Sequence, residues 1–595
     1  MSDSKSLLIK FLKWRYKHIS NKQFVSIASA VIGLFTGLAA VTIKNLTHFI
    51  QELLEGEFIR DIHNVFYFIF PIIGLLLVLL SIKYIVKKPV EHGIPATLHA
   101  ISKLKGRIPR RQMWASLLTA PLTVGFGGSV GLEGPTVATG AAIGSNFSSL
   151  FHLNQTTRTL LIGAAAAGTV SSIFKAPIAA IVFAVEIFSL ELTLASMIPL
   201  LLASITSVLT SYFFFGDDVL LHFKVQDKFH LNDVLFFIFL GVTSSVVSIY
   251  FSKMYFGIGA FFKQFKNPYQ RLLLGGVALG TIVYFVPPLF GEGFVTINNV
   301  LRGNIEEVVT NNIFHSATDN IWVVVALLSG LVLFKVVAMS FTFGAGGIGG
   351  VFAPTLFTGS IAGYVFAVII NYSNLFSHQL SSTNFAMVGM AGLMAGNMQA
   401  PLTAIFLIAE ITGGYELFVP LMIVSAISFL ITKRYIPHNI YAAELAKKGE
   451  LITHDKDKNV LMMLDIDKVI ETNFVLLTPE MKLGEIVKKA VAKSSRNHFP
   501  VVNEDKEFLG ILTLNDIRSI MFDVKLYDKI EVGDLMHAAS DIIYYGQDST
   551  EEILNKFKSS GAWNLVVIKN GKYFGFISKS RLLTAYRRQL IQFTS

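Results

Sequence analysis

The sequence predicts an all-α polytopic membrane protein with an internal repeat of broken helices, followed by a smaller soluble α/β unit. Three observations carry that prediction. Of 595 residues, 52% are hydrophobic and only 15% charged, against about 25% charged in an average soluble domain. Two distant segments share one uncommon pattern of glycine and proline. Past Tyr441 the hydrophobicity stops, and short β-branched runs alternate with amphipathic pieces.

Taken in order, the chain opens with MSDSKSLLIKFLKWRYKHIS, a basic amphipathic stretch. It has neither a compact apolar core nor a small-residue cleavage site, so it is expected along the cytoplasmic membrane surface and not as a signal peptide. Apolar runs follow at Phe24–Ile43, Val65–Ile82, Asp233–Tyr250, Ile321–Ser340 and Leu417–Ile431, each near the roughly 20 residues that a spanning helix needs. The formal charge of +10 invites a nucleic-acid reading. The basic clusters instead flank apolar segments: Lys10, Lys13, Arg15 and Lys17; Lys83, Lys87 and Lys88; and KLKGRIPRR at 103–111. That positive-inside pattern puts them, and both termini, in the cytoplasm beneath a plasma or inner membrane, with lipid rather than nucleic acid as the partner. The chain has no cysteine, which excludes disulfides and thiolate metal sites.

The repeat is the most informative feature. GGSVGLEGPTVATGAAIGS at 127–145 is followed by FKAPIAAIVFAVEIF at 174–188, and GAGGIGGVFAPTLFTGSIAG at 344–363 by MQAPLTAIFLIAEIT at 398–412. Gly/Pro-interrupted segments in corresponding positions of two halves point to a transporter-type site between the repeats. Pro95, Pro135 and Pro354 each close a glycine-containing approach (EHGIP, GLEGP, GGVFAP). Proline is tolerated in a helix's first turn, so each motif is expected to start a helix at membrane depth. Such a start presents free N–H groups and about half a positive charge, a natural anion site. None of the three motifs contains Lys or Arg, so the substrate expected is a small anion held weakly enough to leave. Glu133 would occupy the anion's place when ionised and leave when protonated. The plain alternative is a helix-capping carboxylate.

This combination resembles the CLC family of chloride channels and chloride/proton antiporters across the whole membrane part. Its G-[KR]-E-G-P element stands as Gly131-Leu132-Glu133-Gly134-Pro135 and its G-x-F-x-P element as Gly350-Val351-Phe352-Ala353-Pro354. The pore tyrosine matches Tyr441 in HNIYAAEL. The resemblance implies antiparallel repeats of tilted helices, about 24–215 and 230–441, in a homodimer with one pore per subunit. It makes Glu133 the external gate, and the Tyr441 hydroxyl with the Val351 and Phe352 amides the central holder of chloride or another small anion. Gly93, Ile94, Gly131, Gly134 and Ala353 complete the backbone around it. Two departures stand out: His92, whose imidazole either donates to the anion or turns away and leaves the backbone to do so, replaces the serine of G-S-G-I-P, and Leu132 replaces a basic residue beside the gate. In the helix after Ala176-Pro177, Glu186 fills the first of two acidic positions, and Ile187 takes the place of the family's internal proton relay. Ile187 cannot titrate, which tips the expectation to channel-like conduction, with proton-coupled exchange as the alternative.

Residues 442–460 read as a linker, and 461–595 resembles a tandem CBS pair split near 525/526. FPVVNEDKEFLGILTLNDI and WNLVVIKNGKYFGFISKSRLL are its two strand–turn–strand–helix copies. The family's nucleotide motif falls on Gly510, Thr513 and Asp516, with Asn515 between. The second copy keeps Gly575 and Ser578 and has Arg581 at the acidic position. The resemblance implies an adenine nucleotide or cyclic dinucleotide, the acidic Asp516 meeting ribose and Arg581 a phosphate. A pair that only dimerises is the other possibility. No cofactor or metal is required for transport, and no enzyme activity is expected. A divalent-cation transporter with CBS domains is a more distant alternative, and it needs carboxylates converging in the membrane. An intramembrane metalloprotease is rejected because the chain has no H-E-x-x-H.

Overall fold

The computed structural model describes residues 2–54, 63–90, 93–216, 229–310, 320–373, 379–413, 415–447, 461 and 464–594. It divides into two compact units, Met1–Leu451 and Ile452–Ser595. In the first unit the amphipathic α1 (Ser2–His18) precedes α2 (Asn21–Leu54), α3 (His63–Leu80), α4 (Gly93–Ser102), α5 (Gln112–Gly125), α6 (Glu133–Leu150), α7 (Gln155–Phe174), α8 (Pro177–Phe188) and α9 (Leu194–Phe215). The second half runs α10 (Val234–Lys263), α11 (Pro268–Phe285), α12 (Phe294–Arg302), α13 (Ile305–Thr310), α14 (Ile321–Gly344), α15 (Phe352–Tyr372), α16 (Ser382–Met398), α17 (Pro401–Ile411) and α18 (Phe418–Tyr435). Among the described residues, eight helices are long and apolar enough to cross a membrane.

The repeat in the sequence is a repeat in the packing. In α6, Gly140 and Gly144 lie against α7, where an added Cβ would come within 3.0 Å of the Ala165 carbonyl and 2.5 Å of the Leu161 carbonyl. In α15, Gly359 and Gly363 do the same against α16: a Cβ at Gly359 would stand 2.6 Å from the Gly389 carbonyl, and one at Gly363 would collide with that of Phe385. Small residues four apart let backbones approach where lipid offers no hydrophobic drive between helices. In α16 every residue from Asn384 to Met398 is buried, as expected of a helix that is apolar nearly all round.

Two expectations about boundaries change. The span expected to end at Tyr250 continues as α10 to Lys263, because FSKMYFGIGAFF stays apolar apart from one lysine. The region read as a linker from 442 begins as a short helix, α19 (Ala443–Lys447), with Ala442, Ala443 and Leu445 buried. Its outward Glu444 pairs with Lys263 at 2.9 Å. The membrane unit therefore includes these residues, whose charges made them look like linker.

The soluble unit holds α20 (Leu483–Ile486), β1 (His498–Val502), β2 (Phe508–Thr513), α21 (Leu514–Ile517), α22 (Val532–Leu535), β3 (Ile542–Tyr544), α23 (Thr550–Ser560), β4 (Asn564–Lys569), β5 (Lys572–Ser578) and α24 (Lys579–Thr594). β1 pairs antiparallel with β2, while β4 lies between a parallel β3 and an antiparallel β5. The two halves do not part at 525/526. Leu464, Val469 and Ile470 pack with Ile543, Phe557, Leu565 and Ile577 of the second core. Val532, with Ile530, Leu535 and Met536, packs with Leu477, Phe499 and Leu512 of the first. Each copy thus lends its leading segment to the other, bridged by Glu471 to Phe576 and by His537 to Ile511. Sequence order alone cannot show such an exchange, since each segment is apolar enough for either core.

Candidate functional site

The two glycine–proline motifs meet at one point. Gly131 and Gly350 form a two-residue antiparallel bridge, Gly131 N donating to Gly350 O at 2.9 Å and Gly350 N to Gly131 O at 2.7 Å. Around it the contacts come in matched pairs. Ser129 N donates to Thr342 Oγ1 at 3.1 Å, and Ile348 N to Thr123 Oγ1 at 3.0 Å. The carbonyls of Leu132 and Val351 accept the hydroxyls of Thr136 and Thr355 at 2.7 and 2.8 Å. These contacts define a local two-fold relation between the helix starts of α6 and α15. Neither N-cap residue, Leu132 or Val351, makes a side-chain cap of its own, so the N–H groups of each first turn must find acceptors elsewhere.

Glu133 opens α6 with 2% of its surface exposed. Neither carboxylate oxygen makes a well-aligned hydrogen bond among the described residues, though the Glu133 and Ala353 amides lie near enough to act on it. They lie at the α15 start: a Cβ at Gly131 would collide with Glu133 Oε2 and stand 3.0 Å from the Ala353 Cβ. A Cβ at Gly350 would be 3.5 Å from the same oxygen and 2.8 Å from Gly134 N. Glycine is required at both positions for the backbones and carboxylate to come this close. In the other repeat Phe352 stands at the matching position, buried and packed on Phe174 and Phe183 with ring centroids 5.0 and 6.4 Å away. The pseudo-symmetric pair is thus one carboxylate and one phenyl ring.

The third start joins them. Gly93, at φ +32°, abuts the Gly134 backbone, where an added Cβ would fall at 2.9 Å, and Ile94 beside it is buried. His92 lies outside the described residues. Tyr441 is 4% exposed, its hydroxyl reaching Met398 Sδ at 3.8 Å, and it stands near enough to Glu133 to feel its charge. Among the described residues predicted for the anion site, Gly93, Gly131, Glu133, Gly134, Val351, Phe352 and Ala353 come together at these helix starts.

Two charged groups here were not expected. Glu292, in the loop between α11 and α12, accepts the Leu132 amide at 2.9 Å. Lys335, inside the apolar α14 and fully buried, donates to Gly291 O at 2.9 Å and Leu289 O at 3.5 Å. Its ammonium also sits 4.7 Å from the Phe357 ring centre. GEGF at 291–294 is likewise a charge between glycines in membrane-like sequence, and Lys335 is the lone charge of the 321–340 run.

Glu186 has a definite partner. It accepts Leu402 N at 3.1 Å, Thr403 N at 2.7 Å and Thr403 Oγ1 at 2.6 Å, capping α17 from α8. Glu410 of α17 returns this, accepting Ile178 N at 3.1 Å and Ala179 N at 2.7 Å at the start of α8. Ile187, next to Glu186, is buried at 5% exposure.

In the soluble unit the predicted nucleotide residues form two sets. Thr513 N and Oγ1 both donate to Asp516 Oδ2 at 2.7 Å, and His537 Nε2 stands 3.2 Å from the same oxygen. Asn515 beside them is exposed. His498 faces Asp516 and His537, and burial holds its imidazole below the ordinary range. In the other set, Ser578 Oγ donates to Glu471 Oε1 at 3.3 Å, and Arg581 stands 3.5 Å from it. Arg496 holds the second Glu471 oxygen at 2.5 Å. Arg581 therefore already has a carboxylate partner where a phosphate was expected.

Residues 73–433 match the voltage gated chloride channel family. The chain belongs to that family. It is an integral membrane protein, and residues 466–523 match the CBS domain. The chain is 28% identical over 389 residues to a ClcB-like chloride channel protein of Ralstonia nicotianae, covering 64% of this chain and 85% of that one. It is 26% identical over 451 residues to the H(+)/Cl(-) exchange transporter ClcA of Vibrio campbellii, covering 72% and 92%. A solved eukaryotic CLC transporter superposes with TM-score 0.58 at 17% identity, covering 94% of this chain and 97% of that one. Membership accounts for the matched helix starts, and the last likeness extends the shared fold into the soluble unit.

Proposed function

We propose that this protein exchanges chloride or a similar small anion for protons across the membrane, through a pore in each subunit of a homodimer, with Glu133 as the gate. The observation that carries the reading is the Glu133 carboxylate, buried against the α15 start where the Ala353 amide acts on it. An ionised carboxylate there occupies the place that the free amides offer an anion. A protonated one has no charge to hold it, and it yields that place. Partial charges of helix starts favour a ligand that must leave. The Tyr441 hydroxyl and the Val351 and Phe352 amides are the remaining holders.

Residue chemistry alone tipped the expectation to channel-like conduction, because Ile187 has no titratable atom. Relatives named H(+)/Cl(-) exchange transporters favour the alternative, and exchange is the reading adopted. Conduction keeps one observation in its favour: Ile187 is buried and apolar, and neighbouring Glu186 is committed to capping α17. Thr513 and Asp516 are proposed to take an adenine nucleotide that regulates transport. The gate is tested by anion flux into liposomes as a function of pH. Glu133→Gln is expected to transport at a rate independent of pH, and a pH profile like the parent's would reduce Glu133 to a capping residue.

A further inference from the structure

We propose that Glu292 is a second carboxylate of the gate, positioning Leu132 and setting by its charge the pH range over which Glu133 opens. The proposal rests on the reading of Glu133 as the gate. Three contacts lace the loop before α12 to the motif before α6. Ser129 Oγ donates to Leu289 O at 2.7 Å, Gly291 N to Gly127 O at 3.4 Å, and Leu132 N to Glu292 Oε1 at 2.9 Å. A Cβ at Gly127 would collide with the Phe290 ring, so the two strips are in close contact along their length. Lys335 of α14 donates to the carbonyls of Leu289 and Gly291 in the same loop. The loop is therefore held by both the approach to α6 and α14, and Glu292 accepts from the residue immediately before the gate.

Its charge has a direct route to Glu133. Glu292 acts electrostatically on Glu133, and Lys335 of α14 and Lys44 of α2 act on Glu292 in turn. Among the described residues, Tyr441, after α18, also feels Glu133. A like charge disfavours a second charge in the same site, by about one pH unit or more when both are removed from water. The basic residue that would cancel this effect at position 132 is absent, since Leu132 stands there. Lys44 and Lys335 both act on Glu292 rather than standing at position 132, and Lys335 is also engaged by two carbonyls and the face of Phe357. Glu292 is thus a positioning residue whose negative charge keeps Glu133 protonated to a higher pH than it would otherwise reach.

The test is anion flux against pH in proteoliposomes for the parent, Glu292→Gln, Leu132→Arg and Glu133→Gln. Glutamine keeps an oxygen for the Leu132 amide and removes only the charge, so a merely structural role predicts no change in the profile. The expected result is a midpoint moved by about one unit to lower pH. Leu132→Arg, which leaves Glu292 in place and adds the missing cation, is expected to move it the same way, and it decides the matter should Glu292→Gln fail to assemble. A flat Glu133→Gln profile beside unshifted Glu292→Gln and Leu132→Arg midpoints overturns this proposal alone. A Glu133→Gln profile that still follows pH overturns the gate reading, and this proposal with it.

Discussion

At the scale of residues, the molecule concentrates its rare chemistry in places where glycine makes room. Glu133 was legible because a carboxylate among glycines in a membrane-like stretch has few structural uses. Glu292 and Lys335 carry the same signal but sit outside any repeated motif, and only folding brings Glu292 onto Leu132 and Lys335 onto the Leu289 and Gly291 carbonyls of the same loop. The nucleotide residues show the opposite limit. The spacing of Thr513 and Asp516 is visible in sequence, yet the same spacing makes a capping box, and in the structure Asp516 caps α21 and meets His537. A ribose would have to share that carboxylate. An adenine nucleotide is expected to raise the thermal unfolding midpoint of the soluble unit within the full-length protein, and Asp516→Ala to lower the affinity about ten-fold or more. This follows from a charged acceptor contributing roughly 1.5–3 kcal/mol. An equal shift in both proteins would mean that Asp516 is only a cap, and no shift with any adenine nucleotide would end the regulatory reading.

At the scale of elements, proline marks where helices begin, and the opposite repeat supplies what each beginning lacks. Pro177 and Pro401 open α8 and α17, and Glu410 and Glu186 cap them across the repeat boundary. The repeat and its prolines could be read in the sequence. The reciprocal capping could not, because it depends on two helices from distant segments lying antiparallel with their ends matched. Charged acceptors at helix starts stabilise by about 0.5–2 kcal/mol. Glu186→Ala is therefore expected to speed hydrogen exchange at the Leu402 and Thr403 amides by roughly three- to thirty-fold, with Glu410→Ala doing the same at Ile178 and Ala179. Exchange unchanged at those four amides would show that the caps hold nothing. The soluble unit gives the complementary lesson: both strand pairs were legible from alternation and turns, and the exchange of leading segments between its cores was not.

At the scale of the whole molecule, the two units follow the break in hydrophobicity, displaced to include α19 because Glu444 and its neighbours fold back on α10. Within the membrane unit, the repeat creates a site that is nearly two-fold in its backbone and one-sided in its chemistry. Glu133 faces the α15 amides, and Phe352 faces the rings of Phe174 and Phe183. On the proposed reading, the Glu133 carboxylate beside the α15 amides gives anions and protons one shared place, and that sharing would couple their movements. The measurement that tests this most directly is proton movement in liposomes containing the full-length protein under an imposed chloride gradient. Protons are predicted to move against their own gradient as chloride runs down, and Glu133→Gln to abolish that movement while chloride flux continues. Chloride flux in the parent protein with no accompanying proton movement would contradict the account.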